Sequence, residues 1–217
     1  MRIGARAAIL AFAALALAGV VAAAATALFS QRAPPRFVTV ALGGERLTIA
    51  SAYLRPEARR DGAAETLELA AFFPDFDPAG EFGDVTARLD LAERFARVVF
   101  VAHKPADGGL DPAARTAKLY ERFLDQTAWT HPGGLTARAF VDGSPFEGDE
   151  LYYVGPDGRE FAARCRRPDP ARKTPNTCLY DFRLGDLDVE ARFSAALLSE
   201  WVKLKEGARG LIEAAKR

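Results

Sequence analysis

Hydrophobic residues form an uninterrupted run at the start of the chain. No charged side chain occurs between Ala7 and Ser30, and a helix of that length, rising about 1.5 Å per residue, would cross a hydrocarbon core about 30 Å thick. Because Arg2 and Arg6 precede the run, we expect the N-terminus to stay in the cytoplasm and the rest of the chain to be exported. The pattern predicts a signal-anchor or transmembrane helix in residues 1–30, which contacts the membrane through residues 7–30.

A cleaved signal peptide is the alternative for this segment. Ile9–Val21 fits the apolar core of such a peptide, and Ala22–Ala27 offers several small-x-small cleavage sites. Cleavage would release the domain into the periplasm, whereas an anchor would keep it as a single-pass protein of the inner membrane. Pro34 and Pro35 favour extended polyproline II geometry, so residues 31–36 are expected to form a short stiff stalk.

Short apolar and alternating runs after the stalk predict β-strands. Phe37–Leu42 and Arg46–Ser51 are separated by Gly43 and Gly44, which supply the positive φ values of a tight hairpin turn. Between later strands, Phe73–Gly83 is expected to be an ordered loop with its aromatic side chains turned inward. Short turns at 155–158 and 185–186 make neighbouring strands antiparallel. The further predicted strands are Thr66–Phe72, Arg97–Ala102, Leu135–Val141, Leu151–Val154, Arg159–Cys165, Cys178–Leu184 and Leu187–Phe193.

Two segments show helical periodicity. Asp111 can cap a helix that has Pro112 in its first turn, and apolar residues at spacings of three and four predict a helix over 112–125. A second helix is predicted from near Ser194 to the end of the chain, and we expect it to pack on the sheet, with a coiled coil as the alternative. Its apolar positions are Leu197, Trp201, Leu204, Ala208, Leu211 and Ala215.

These elements predict an α+β fold. An N-terminal transmembrane helix would be followed by one domain over residues 37–217, with a mainly antiparallel sheet, a middle helix and a C-terminal helix. The 15 Phe, 5 Tyr and 2 Trp residues supply material for a core. Lys plus Arg equals Asp plus Glu at 29 each, so no overall field attracts nucleic acid and we expect no nucleic-acid partner.

Cys165 and Cys178 are the only cysteines. The strand pattern places both on the buried face, at facing ends of adjacent antiparallel strands, and disulfides persist in the oxidising space outside the inner membrane. We therefore predict a Cys165–Cys178 disulfide with Cα atoms roughly 4.4 to 6.8 Å apart. The cysteine and histidine spacings fit neither a CxxC redox motif nor a zinc site, so no metal or cofactor is expected.

Four residues are candidates for catalysis or small-ligand binding. Asp75 and Asp77 are carboxylates flanked by prolines, where acidic residues more often cap turns, and His103 and His131 are the only imidazole bases. Ser144 lacks the Gly-x-Ser-x-Gly context of a hydrolase nucleophile. The sequence therefore assigns no catalytic residue, and a periplasmic enzyme or small-ligand-binding protein using these four residues is the alternative function.

A group of basic residues lies in and beside the predicted disulfide loop. Most such runs are simply solvated, but cations on one constrained loop suit contact with anionic headgroups or an acidic partner. The members of this possible anionic-partner patch are Arg164, Arg166, Arg167, Arg172 and Lys173.

Short motifs spread over most of the chain add a resemblance. They are Tyr53-Leu54-Arg55, Phe73-Pro74-Asp75, Gly134-Leu135, the hairpin from Arg164-Cys165 to Cys178-Leu179, and the ending from Arg192-Phe193 to Trp201. With the N-terminal anchor, this combination resembles uncharacterised membrane-anchored periplasmic proteins of alpha-proteobacterial type, a group without an assigned activity.

We expect a membrane-tethered periplasmic accessory or scaffold module that contacts another envelope protein or the outer membrane leaflet.

Overall fold

The architecture is a large antiparallel sheet with a C-terminal helix and a small second sheet. The computed structural model describes residues 37–54, 58, 61–79, 96–168 and 176–216. The predicted anchor in residues 1–30 and the predicted stalk in residues 31–36 lie outside this range. Within the described residues, no helix is both long and apolar enough to cross a membrane.

Every strand of the large sheet described here runs antiparallel to its neighbours. The spatial order is β5 (Asp77–Pro78), β4 (Leu67–Phe72), β6 (Val98–Pro105), β12 (Leu187–Ser194), β11 (Thr177–Leu184), β10 (Ala162–Arg166), β9 (Asp149–Tyr153), β8 (Leu135–Phe140) and β7 (Leu124–His131). The seven strands that were predicted for this sheet are all present, with ends shifted by at most three residues. The prediction of a mainly antiparallel sheet is confirmed.

The opening hairpin forms the small sheet. β1 (Phe37–Leu42) pairs antiparallel with β2 (Glu45–Ala50) and parallel with the short β3 (Gly62–Ala63). Gly43 and Gly44 have φ values of 58° and 87°, the left-handed geometry on which the predicted turn depends. A 3-10 turn over Ser51–Tyr53 follows β2.

The predicted middle helix over 112–125 is wrong in its second part. Asp111 caps the start as expected, because its Oδ1 accepts the Ala113 N–H at 3.0 Å. The segment then makes a 3-10 turn (Pro112–Ala114), a single π-helical stretch (Thr116–Tyr120) and another 3-10 turn (Glu121–Phe123). Leu124 already has extended geometry and starts β7, where it pairs with Phe140 of β8. The sequence pattern did not predict this strand.

The C-terminal helix packs on one face of the large sheet. The hydroxyl of Ser194 accepts the Ala196 N–H at 3.3 Å, and a 3-10 stretch over Ala195–Glu200 leads into helix α1, Trp201–Ala215. Leu204, Ala208 and Ile212 are buried in the main core, where they join side chains of the sheet and of the β1–β2 hairpin. The predicted apolar stripe is confirmed except at Leu211, which is only partly buried, while its neighbour Ile212 is fully buried.

The opposite face of the sheet is covered only in part by the described residues. Tyr120 and its helical segment pack over Phe140, Leu151 and Tyr153 at the β7–β9 end. Towards the centre, β10, β11 and β12 present charged side chains on this face, because their intervening residues are buried in the main core on the other side. This charged part of the sheet carries the candidate site.

Candidate anion-binding site

The disulfide joins β10 and β11 at the edge of the candidate site. Cys165 and Cys178 are directly opposite each other, both are buried, and their sulfur atoms are 2.04 Å apart. The predicted pairing is confirmed. Their Cα atoms are 4.0 Å apart, slightly below the expected range of roughly 4.4 to 6.8 Å, so the predicted spacing is wrong. The two residues lie directly opposite each other on adjacent antiparallel strands, which places their Cα atoms near the short end of that range.

The same alternation turns a row of arginines to the other face. Arg164 of β10 is opposite Leu179 of β11, and Leu179 is opposite Arg192 of β12. Strands lie about 4.8 Å apart, so the Cα atoms of the two arginines are separated by roughly 10 Å with Leu179 between them. Arg166 lies two residues beyond Arg164 on the same strand and therefore on the same face.

A buried carboxylate organises two of these arginines. Asp149 of β9 has a side chain only 9% exposed, and its Oδ2 accepts a hydrogen bond from Arg164 Nη1 at 2.5 Å. Its Oδ1 accepts from Arg166 Nη1 at 2.9 Å, and that nitrogen also donates to the Glu147 carbonyl oxygen at 3.2 Å. The guanidinium of Arg164 also lies 5.5 Å from the centre of the Phe146 ring, and this cation–π contact helps to hold the guanidinium in place.

Together these side chains line an open pocket of about 410 Å³, which we call the arginine pocket. Its lining consists of Asp149, Arg164, Arg166, Thr177, Leu179 and Arg192. Three guanidinium groups against one carboxylate leave a net lining charge of +2. Glu190 binds Arg192 at 3.0 Å from outside the lining, and even when its charge is included the site remains positive at +1. The arrangement suits an anionic group.

The predicted basic patch is only partly assembled in this pocket. Arg164 and Arg166 line it, whereas Arg167 does not: its Nη2 donates to the Phe140 carbonyl oxygen at 2.8 Å and its Nε lies 3.9 Å from Glu150. Arg172 and Lys173 lie outside the described residues. Whether the patch binds an anionic partner stays a prediction.

Sequence reasoning missed Arg192, Asp149 and Thr177 as members of this site. Arg192 is 28 positions after Arg164, and nothing in local spacing links the two. The alternation of β12 was the available signal, since it places Arg192 on the face away from the core, but the order of the strands was needed to bring it to Arg164.

A second, smaller pocket of about 220 Å³ lies where β6, β11 and β12 meet the start of the helical segment. Arg115 forms an ion pair with Asp181 there, and Lys104, Asp188 and Glu190 also line the cavity. Burial raises the pKa of Asp181, while Arg115 opposes the rise and Glu190 adds to it. Asp188 is held by a two-bond contact with Arg183. The opposite charges are largely paired, so this cavity offers less net attraction for a ligand than the arginine pocket.

The four candidate catalytic residues are not brought together by either pocket. His103 contributes to the smaller pocket, but its ring is buried in the core, with Nδ1 2.9 Å from the Leu67 carbonyl oxygen. His131 ends β7, where its ring contacts Tyr152. Asp75 and Asp77 are exposed at the turn into β5 and line neither pocket.

Burial lowers the pKa of His103, and the charge of Lys216 lowers it further while the Leu67 contact opposes the shift.

Metal binding has no structural support in the part of the chain that the structure describes. No group of three or more His, Cys, Asp or Glu side chains there is placed to hold an ion. The arginine pocket contains one carboxylate surrounded by cations, which is the wrong donor set for a metal.

The fold is similar to that of two solved structures. The immunity protein of the Stenotrophomonas maltophilia type IV secretion system has a TM-score of 0.59 and 18% sequence identity, over 84% of this chain and 94% of that one. The iron-regulated outer membrane lipoprotein FrpD of Neisseria meningitidis has a TM-score of 0.50 and 12% identity, over 84% and 93% of the two chains. No protein-family model and no curated protein matches the sequence. At these identities the similarity establishes a shared fold.

Proposed function

We propose that this chain is an accessory protein of a bacterial cell envelope, and that its folded domain lies in the periplasm and works by binding another envelope protein. Tethering to the inner membrane through residues 7–30 is part of the proposal. The observation that carries it is the arginine pocket, an open and positively charged depression on a sheet whose strands are cross-linked by a disulfide.

The chemistry of the pocket favours binding over catalysis. Guanidinium groups stay protonated at all physiological pH values and serve poorly as general acids or bases, whereas they recognise carboxylate and phosphate groups well. The Cys165–Cys178 bridge supports an oxidising compartment, since disulfides are rare in the cytosol. The names of the two proteins with a similar fold, an immunity protein and an outer membrane lipoprotein, also support an accessory role at the envelope.

The alternative function, an enzyme or small-ligand binder that uses Asp75, Asp77, His103 and His131, has less support. Such sites converge two or more reactive groups in one cavity. The arginine pocket contains none of the four, and the smaller pocket contains His103 alone. We therefore do not propose a reaction.

Crosslinking in intact cells tests the proposal. The full chain with a tag after Arg217 is treated with a short crosslinker, purified from the membrane fraction, and its adducts are identified by mass spectrometry. We expect one or a few defined envelope proteins to be joined to the described domain. A reporter fused at the same position should be active outside the cytoplasm. Reporter activity in the cytoplasm, or a complete lack of protein adducts, would contradict the proposal.

A further inference from the structure

We infer that the arginine pocket receives an acidic segment of the partner protein, in which an aspartate or glutamate is flanked by an apolar side chain. This inference rests on the proposed function and specifies the chemistry of the partner. It follows from the charge of the pocket, from the composition of its floor and from the way its arginines are held.

The charge of the pocket selects an anion. Each arginine of the lining already makes at least one hydrogen bond within the protein, to Asp149, to the Glu147 carbonyl oxygen or to Glu190. A guanidinium group carries more N–H donors than these contacts use, so donors remain on all three side chains. Charge-assisted hydrogen bonds from such donors to a carboxylate are among the stronger polar contacts in proteins.

The floor of the pocket argues for a protein segment rather than a phosphate group. Leu179 is half-buried between Arg164 and Arg192 and presents an apolar surface at the bottom of the pocket. An aliphatic stem or a neighbouring apolar side chain can cover that surface, whereas a phosphate leaves it in contact with water. Asp149 also disfavours a phosphate relative to a carboxylate. Its negative charge repels a phosphate group, with nearly two negative charges, more strongly than the single charge of a partner's aspartate or glutamate.

The arginines are positioned before any partner binds. Asp149 and the Phe146 ring fix Arg164, and Asp149 with the Glu147 carbonyl oxygen fixes Arg166. Arg192 is the most exposed of the three, with a side chain that is 57% accessible, and its hydrogen-bond partner among the described residues is Glu190 on the same strand. We assign the strongest single contribution to partner contact to Arg192, since it stands on the far side of Leu179 and its side chain is the most exposed of the three.

A photo-crosslinking amino acid placed at Thr177 tests this inference in the full chain in its native membrane. Thr177 lines the pocket, is exposed and contributes no charge, so the replacement preserves the arginines. We expect crosslinks to one protein, and the crosslinked peptide should contain Asp or Glu beside an apolar residue. The same amino acid at Val202, an exposed position on α1 on the other side of the sheet, serves as the positional control.

Charge-removing variants provide the second arm. In the double variant Arg166→Gln with Arg192→Gln, Arg164 remains to pair with Asp149, so the buried carboxylate keeps a cation and the fold should be retained. The mapped peptide is then synthesised in its natural form and with its acids changed to amides. We expect the double variant and the amide peptide each to bind roughly tenfold more weakly or worse. Arg159→Gln, at an exposed arginine outside the pocket, should bind as the wild type does.

The outcomes separate this inference from the proposed function. Crosslinks from Thr177 to lipid alone, a mapped segment without acidic residues, or full binding by the amide peptide would each overturn the acidic-segment inference. If a protein is captured from Val202 but not from Thr177, the proposed function stands and the pocket is not its interface. If tag-based crosslinking captures no protein at all, the proposed function itself fails.

Discussion

The indole nitrogen of Trp201 donates a hydrogen bond to the carbonyl oxygen of Gly133 at 2.9 Å and so ties the start of α1 to the β7–β8 turn. Gly133 has a φ of +86°, and a Cβ atom added to it would lie 2.7 Å from the backbone oxygen of Ser199. Backbone of the 3-10 stretch before α1 therefore comes as close to this turn as a glycine permits.

We predict that Gly133→Ala lowers the free energy of unfolding by about 2 to 4 kcal/mol, because left-handed strain adds to a backbone clash. Urea denaturation of the folded protein measures the change. Gly134→Ala is the matched control, since Gly134 has a similar φ of +74° and open space around it, and only the strain of about 1 kcal/mol should remain. Equal effects at the two positions would show that the contact with Ser199 is unimportant.

A second glycine pair tests how α1 packs on the loop before β5. A Cβ atom at Gly207 would lie 2.0 Å from Cε2 of the Phe76 ring, which is buried, whereas a Cβ at Gly210 meets nothing within 4 Å. Alanine is the better helix former by about 0.8 to 1 kcal/mol. We therefore expect Gly210→Ala to stabilise the domain by up to that amount and Gly207→Ala to destabilise it, because Phe76 must leave its site.

Thermal unfolding of the two variants side by side gives the comparison, and opposite signs are expected. Stabilisation by Gly207→Ala would mean that the Phe76 ring is free to move away without loss. This contact also accounts for a glycine inside α1: Gly207 leaves room for the ring of Phe76, which is 131 residues earlier in the chain.

Strands with a clear alternation were predictable, and the boundary between helix and strand was not. β11 and β12 alternate core-facing apolar residues with mostly polar ones, Leu179 being an exception, so their hairpin and the faces of Cys178 and Arg192 followed from the sequence. In the middle segment, Leu119, Tyr120, Phe123 and Leu124 have helical spacing, yet Leu124 is extended. Its burial against Phe140 depends on pairing with β8, which local periodicity does not report.

The residues of the candidate site were likewise only partly predictable from the sequence. Arg164 and Arg166 were predictable as a basic group because they are close in sequence. Asp149, which holds both, and Arg192, which completes the pocket, come from other strands. A residue pattern along one strand gives the face of a side chain, but neighbours across the sheet depend on strand order, so the pocket emerges only from the assembled fold.

The disulfide should contribute measurably to stability. The chain-entropy estimate for a loop of this length is about 3 kcal/mol, and Cys165 and Cys178 close a loop with a sequence separation of 13. We predict that the double variant Cys165→Ala with Cys178→Ala unfolds at lower urea concentration by a corresponding margin, and that reduced wild-type protein loses a similar amount. The double variant also controls for other effects of the reductant. Because this variant has no disulfide, adding the reductant should leave its stability unchanged. Two free thiols in protein isolated from the cells that produce it would defeat the prediction.

The burial of His103 should make the protein less stable as the pH falls. Its ring is 1% exposed, and burial lowers its pKa in the folded state. In the unfolded chain the imidazole titrates near pH 6.5. Below that pH the unfolded state binds a proton that the folded state excludes, so the free energy of unfolding falls as the pH falls from about 6.5 towards the lowered folded-state pKa. The contribution is fully present above pH 6.5, and its slope cannot exceed about 1.4 kcal/mol per pH unit for one proton.

Urea denaturation at pH 7.5, 6.5 and 5.5 tests this effect by comparing the wild type with His103→Gln, whose amide N–H can still donate to the Leu67 carbonyl oxygen. We expect the variant to be less stable at pH 7.5 because its shape fits the core less well, but to lose less stability than the wild type between pH 6.5 and 5.5. His131→Gln changes the other histidine, which ends the edge strand β7 and is only partly buried, and is measured alongside as the control for a histidine-to-glutamine change. Carboxylates that titrate in the same range are common to all three proteins, so their contribution cancels in the comparison. An unchanged slope in His103→Gln would show that the buried imidazole is not the group that couples protonation to unfolding.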